Sequence, residues 1–235
     1  MNNNTKAILF GGLQATEYTD RAEAGRLLYE RIKQQGLTFD VIVAIPRGGV
    51  ETAAPIAKEL GSPLALITPR KLGAPGQEEV AIGAVGPDGS VILNDRLIAY
   101  LGINEEYIEQ VRQLQVIEMD RRKKEYPFIL NVGSVTSKKI LLVDDGVATG
   151  YTLMAAIKSI LRHEPAYLAV ALPVGPPDVL EALSESVDQI ICPLAPEDFQ
   201  AVGAYYVDFG QTSDESVRKL LEEVNQSLPR PGFFA

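Results

Sequence analysis

Residues 140–152 read Ile140-Leu-Leu-Val-Asp-Asp-Gly-Val-Ala-Thr-Gly-Tyr-Thr152. Four apolar residues in a row, with no polar face, are the pattern of a strand buried on both sides of a parallel sheet. The run stops on two adjacent carboxylates, Asp144 and Asp145, at the strand's carboxyl end, the edge where open α/β sheets bind ligands. Gly146 and Gly150 allow a tight turn and a close backbone approach. A helix expected over 152–162 would aim its free N–H groups and positive dipole end back at that turn, and Thr149 and Thr152 add hydroxyl donors. The segment therefore offers a phosphate cradle beside two acceptors for neighbouring diol hydroxyls, the two features of a ribose 5-phosphate. It has no Walker lysine, which argues against a P-loop nucleotide triphosphatase.

The alternation of strand and helix extends on both sides. Downstream, strands at 167–172 and 187–191 flank a short helix near 178–183, followed by an irregular stretch, 193–211, and a last helix, 214–227. Upstream, Asp20 with Glu23 three residues later predicts a capped helix whose face carries Leu27, Leu28 and Ile32 and which ends at Gly36. A buried strand at 41–45 runs into Pro46-Arg-Gly-Gly49, then a helix at 50–60 and a strand at 64–67. A loop rich in Gly, Pro and charge is expected over 68–79, then strands at 80–85 and 90–93 turned by Gly86-Pro-Asp-Gly89. From 94 to 125 the character changes. Tyr107, Val111 and Leu114 recur at helical spacing, and Glu118, Arg121 and Arg122 predict an ion-pair ladder on a wet face. The expected fold is α/β, a Rossmann-like, mostly parallel sheet flanked by helices. One domain, 1–235, is expected, with a helical insertion at about 95–125.

Composition narrows the function. A formal charge of −9 argues against a general nucleic-acid binder, which needs a basic field. No apolar run is long enough to cross a bilayer, and the first six residues lack the regions of a secretory signal. The one cysteine, Cys192, excludes an internal disulfide, reads as a core thiol and fits a reducing, cytoplasmic compartment. The one histidine, His163, leaves no room for a two-histidine zinc motif and reads as a helix-end residue.

The 140–152 segment resembles the phosphoribosyl pyrophosphate motif of type I phosphoribosyltransferases: four apolar residues, two acids and a Gly/Thr-rich loop. The resemblance implies that Asp144 and Asp145 hold the ribose 2′- and 3′-hydroxyls. Val147, Ala148, Thr149, Gly150, Tyr151 and Thr152 would cradle the 5′-phosphate, with Gly146 among the substrate-binding residues. Pro46-Arg-Gly-Gly49 sits where the family carries its pyrophosphate loop. Gly48 and Gly49 would form a nest of N–H groups, and Arg47 would add a fixed charge. The family often holds a cis peptide here, so the Pro46–Arg47 bond is expected to be cis. The 70–79 stretch takes the place of the family's flexible lid, from which Arg70 and Lys71 would neutralise departing pyrophosphate. Taken alone, these two segments read as an exposed turn and a solvated loop.

The tail, 199–209, resembles the hood of purine-salvage members. There Phe199 would stack on a base and Asp208 would lie near a magnesium ion, the expected cofactor. Phe199, Tyr206 and Phe209 read equally well as core aromatics. Where hypoxanthine-guanine members carry a third acid in the motif, this chain has Ala148; adenine and orotate members also lack that acid. Glu78 and Glu79 are then the candidate bases. The resemblance covers about residues 40–210, and over its whole length the chain is similar to a bacterial phosphoribosyltransferase-like group. It implies phosphoribosyl pyrophosphate and a small acceptor base as ligands and catalysis by Asp144, Asp145, Arg47 and Lys71; charge and hydropathy predict no nucleic-acid or membrane partner, and a homodimer is an open possibility. Two other readings stay open: a non-catalytic sensor of phosphoribosyl pyrophosphate, and a hydrolase or phosphorylase acting on a finished nucleotide.

Overall fold

The computed structural model describes residues 7–10, 17–226, 228 and 232–234. In chain order the elements are β1 (Ala7–Phe10), α1 (Arg21–Gln34), β2 (Val41–Ala44), α2 (Gly48–Leu60), β3 (Leu64–Leu66), β4 (Arg70–Ala74), β5 (Gln77–Val85) and β6 (Val91–Leu93). They continue as α3 (Asp95–Leu101), α4 (Glu105–Glu125), β7 (Lys139–Val143), α5 (Tyr151–Leu161), β8 (Tyr167–Ala171), α6 (Pro177–Ser184), β9 (Gln189–Cys192) and α7 (Asp214–Asn225). Six strands form one parallel sheet in the order β1-β9-β8-β7-β2-β3.

Side chains alternate across each strand, so one buried run feeds two cores. Val41, Val43, Ile140 and Leu142 meet Leu153, Ile157 and Ile160 of α5 and Leu180 of α6. Ile42, Ala44, Leu141 and Val143 meet Leu28 and Ile32 of α1, Val50 and Ala53 of α2, and Val217 and Leu221 of α7. The expected parallel sheet with helices on both faces is what forms. Its edge strand β1 was not anticipated.

Two expectations are corrected. The stretch 68–79 is not a loop, because Arg70–Ala74 and Gln77–Val85 pair as an antiparallel hairpin. Pro75-Gly76 is its turn, proline presetting the first central position and glycine the second. The turn residues dominated the composition and hid Leu72 and Ala74, which are buried. The helix expected from 50 begins earlier, at Gly48, so the two glycines form its first turn rather than a separate loop.

With β6, the hairpin makes a three-stranded antiparallel sheet. Leu72, Ile82 and Val85 on this sheet pack with Met119, Val111 and Tyr107 of α4 and Leu97 of α3 in a core of their own. The inserted unit is thus a sheet plus two helices, larger than the expected helical insertion. It leaves and rejoins the parallel sheet side by side: Leu66 bridges Ile129, with N–H bonds from Leu66 to the Phe128 carbonyl at 2.9 Å and from Leu130 to the Leu66 carbonyl at 2.8 Å. The turn before β6 anchors it to α5. Asp88 accepts from Ser159 Oγ at 2.8 Å and pairs with Arg162. On α4 the expected ladder includes Arg121 with Glu118 at 2.8 Å and with Glu125; the side chain of Arg122 lies outside the described residues.

Candidate active site

From β2 the chain turns through α2 to β3 on one side; from β7 it turns through α5 to β8 on the other. The adjacent carboxyl ends of β2 and β7 are therefore the sheet's topological switch point, where two loops diverge and leave a crevice. Pro46-Arg47 leaves one strand there and Asp144-Asp145 the other.

The carboxylates are held closely. Asp145 N–H donates to Asp144 Oδ1 at 2.9 Å, Arg21 Nε donates to Asp145 Oδ2 at 2.7 Å, and the Tyr206 hydroxyl donates to the Asp145 carbonyl at 2.6 Å. Burial first, and then the charge of Asp145, hold the Asp144 carboxyl well above the usual carboxylate range. Opposite them, the Pro46–Arg47 peptide is cis, as expected. The glycines that follow are needed for close approach: a Cβ at Gly48 would lie 1.9 Å from Asp145 Oδ2, and one at Gly49 would lie 3.0 Å from the Asp144 Cα.

Beyond the acids, Ala148 and Thr149 are exposed, and Gly150 (φ +78°) turns the chain into α5 with no side-chain cap on the helix start. N–H groups at such a start, with the helix dipole behind them, suit an anion. Together these parts line a cleft of about 440 Å³ that takes in Arg21, Arg47, Gly48, residues 144–150, Thr152 and Phe209. Arg47 stands on its rim, half-exposed and 4.0 Å from Asp214.

A second cavity of about 590 Å³ shares the walls Ile45, Pro46 and Thr152 and is lined by Arg70, Lys71 and Gly73 on the hairpin and Tyr107, Gln110 and Leu114 on α4. Arg70 Nε donates to Gln115 Oε1 at 2.9 Å, and the Tyr107 hydroxyl donates to the Gly73 carbonyl at 3.0 Å, which tie α4 to the hairpin. The two cations thus line the adjoining cavity, not the cleft itself, and do so from β4, a strand, rather than from a free loop.

Most of the sequence-derived set converges here, but not all of it. Tyr151 lines a neighbouring apolar pocket with Val179 and Leu183. Phe199 stacks on Tyr205, ring centroids 5.6 Å apart, within a small core of Tyr18, Val174 and Tyr206. Asp208 is exposed, accepts from Gly210 N–H at 3.0 Å, and borders a different cleft, beside Arg26 and Lys58. The side chains of Glu78 and Glu79 lie outside the described residues. Two residues were missed. Phe209 is the tail aromatic that reaches the cleft, and Arg21 is the cation that pairs with Asp145. Nothing near Arg21 in the sequence marks it; the Asp20 cap only says that a helix begins there.

A family model described as a phosphoribosyl transferase domain matches residues 14–209. The "Putative phosphoribosyl transferase" of Mycobacterium tuberculosis strain H37Rv is 35% identical over 215 residues, 92% of this chain, and its counterpart in strain CDC 1551 matches equally. The chain spans about half the length (48%) of these two relatives. Among solved structures, the crystal structure of TT1426 from Thermus thermophilus superposes with a TM-score of 0.69 at 36% identity, covering 88% of this chain and 98% of that one. The site built at the switch point and the span of these matches lead to one assignment: the chain belongs to the phosphoribosyl transferase domain family.

Proposed function

We propose that the chain binds phosphoribosyl pyrophosphate with magnesium in the cleft at the switch point and transfers its 5-phosphoribosyl group to a ring nitrogen of a nucleobase-like acceptor. The observation that carries this reading is the pair Asp144 and Asp145 set beside the uncapped start of α5, a diol acceptor next to an anion site. In the reaction the bond from the ribose C1 to the pyrophosphate oxygen breaks, the bond from C1 to nitrogen forms, and the acceptor gives up a proton. The N–H groups after Gly150, with Thr149 and Thr152, hold the 5-phosphate. Asp144 and Asp145 accept from the ribose hydroxyls and fix C1, which removes the entropy of alignment from the barrier. Arg47 at the rim and Lys71 on the hairpin face the departing pyrophosphate.

Among the described residues, no group of three or more His, Cys, Asp or Glu side chains is placed to hold a metal alone. The two adjacent carboxylates of the cleft suit magnesium, which keeps several waters and takes one or two carboxylates plus substrate phosphates. Asp144 and Asp145 would give the chain's share; Asp208, facing another cleft, is left out of it. The chemistry such an ion supplies is neutralisation of charge on the diphosphate. Pyrophosphate release, followed with phosphoribosyl pyrophosphate, magnesium and a panel of bases, tests the proposal. The same cleft would serve a second reading, a sensor that binds phosphoribosyl pyrophosphate without transferring its sugar. A ligand-induced rise in melting temperature without turnover on any base would select it.

A further inference from the structure

We propose that Arg21 is a positioning residue that sets Asp145 for the ribose diol and locks the tail segment over the same carboxylate. The inference rests on the phosphoribosyl reading of the cleft and adds a residue to it. Arg21 is the first residue of α1, far from the motif in sequence, yet its side chain is only 8% exposed. Its guanidinium is engaged at both edge and face. Nε donates to Asp145 Oδ2 at 2.7 Å, Nη1 donates to the Gly210 carbonyl at 2.8 Å and lies 3.6 Å from Glu51, and the group's carbon sits 3.9 Å from the centre of the Phe209 ring.

Three separate pieces of chain, the loop after β7, the tail and α2, therefore meet on one planar cation. A guanidinium suits this use because its fork is rigid and its face can carry an aromatic ring, neither of which an ammonium provides. The neighbouring contacts reinforce the arrangement. The Tyr206 hydroxyl donates to the Asp145 carbonyl at 2.6 Å, and Gly48 leaves no room beside Asp145 Oδ2 or Arg21 Nε, where an added Cβ would come within 1.9 and 2.8 Å. With one oxygen of Asp145 fixed by Arg21, the other is left to accept the 2′-hydroxyl hydrogen in a defined direction. Arg21 touches no reacting atom in this scheme. It acts through Asp145.

A sugar-phosphate comparison tests this without knowledge of the acceptor. Ribose 5-phosphate and 2-deoxyribose 5-phosphate are titrated by calorimetry into the full chain, and their affinities are compared as a ratio. Wild type should favour the ribose ligand by about tenfold or more, the scale of one hydrogen bond to a charged acceptor. Arg21→Gln should bring that ratio to within about threefold while keeping most of the affinity for the deoxy ligand, since the phosphate cradle is untouched. Arg21→Lys should fall between, because it keeps the charge and loses the fork. In the Asp145→Asn background, Arg21→Gln should change the ratio little further.

An unchanged ratio in Arg21→Gln, or equal losses for both ligands, would overturn the role given to Arg21 and leave the cleft's assignment standing. Additive effects of the two substitutions would overturn it as well. Wild type that binds neither sugar phosphate would overturn the phosphoribosyl reading and this inference with it. Should Arg21→Gln not fold, Arg21→Lys carries the test, and a wild-type ratio in that variant would overturn the fork's part in it.

Discussion

At the residue scale, the carboxyl of Asp144 sits where burial, and after it the charge of Asp145, oppose its ionisation, with Arg21 offsetting only part of the effect. A carboxyl whose pKa is raised on folding favours the fold most below its unfolded value of about 3.9, and that contribution is lost as pH climbs through the folded value. Asp144→Asn should therefore melt higher than wild type near neutral pH, by about 2–4 °C for each kcal/mol relieved, and the gap should close as the medium becomes acid. The same variant should lose the shift that phosphoribosyl pyrophosphate and magnesium give wild type. Scanning calorimetry with and without ligand checks both halves, and a variant that melts with wild type near neutral pH would contradict the first. Gly48 gives a prediction of opposite sign. A Cβ there would lie 1.9 Å from Asp145 Oδ2, so Gly48→Ala should cost about 1–3 kcal/mol as overpacking and abolish ligand binding. Urea titration gives the first number, and retained binding would show that the first turn of α2 can yield. The acids and glycines were legible in the sequence because a strand, two carboxylates and a turn are all local. Arg21 was not, because its partner lies 124 residues away and only the folded sheet brings the two together.

At the scale of elements, the hairpin of β4 and β5 was the main misreading, and the reason is physical. Pro75 and Gly76 look the same in composition whether they terminate order or reverse a strand, and only the burial of Leu72 and Ala74 distinguishes the cases. As a strand, β4 offers Lys71 a firmer mount than a lid would. If Lys71 meets the departing pyrophosphate, Lys71→Ala should lower kcat about a hundredfold with a smaller change in KM, as expected for charge stabilisation confined to the transition state. Steady-state rates on an identified acceptor decide this, and near-full kcat would remove Lys71 from the reaction. The seating of the inserted sheet depends on Asp88. Burial raises its pKa, but hydrogen bonds from Ser90 and Ser159 and the charge of Arg162 win and hold it down to about 2. A carboxylate depressed on folding stabilises above its unfolded value of about 3.9, and the contribution fades as pH falls toward the folded one. Asp88→Asn should thus cost about 1 kcal/mol near neutral pH, once screening of this partly exposed pair is allowed for, and little in strong acid. Hydrogen exchange across Gln77–Val85 should quicken in the variant near neutral pH; unchanged protection would mean that α4 alone holds the sheet.

At the scale of the molecule, the chain's direction of winding changes between β2 and β7, and the candidate site lies where it changes. A parallel sheet with the two acids at its carboxyl edge followed from alternating strands and helices, since such a sheet must bury both faces; the strand order that puts the change between β2 and β7 did not. What the sequence did not disclose was the extent of the inserted unit, whose antiparallel strands and helices share a core separate from the two that flank the main sheet. This unit begins after Leu66 and ends before Ile129, and those two residues sit side by side. Seen from the parallel sheet, everything between them is therefore a single attachment, entered and left at one place, and the closure entropy of such a detour grows only slowly with its length. It is in this sense a cassette: Arg70, Lys71 and the α4 wall come with it, while Asp144, Asp145 and the start of α5 belong to the sheet that carries it.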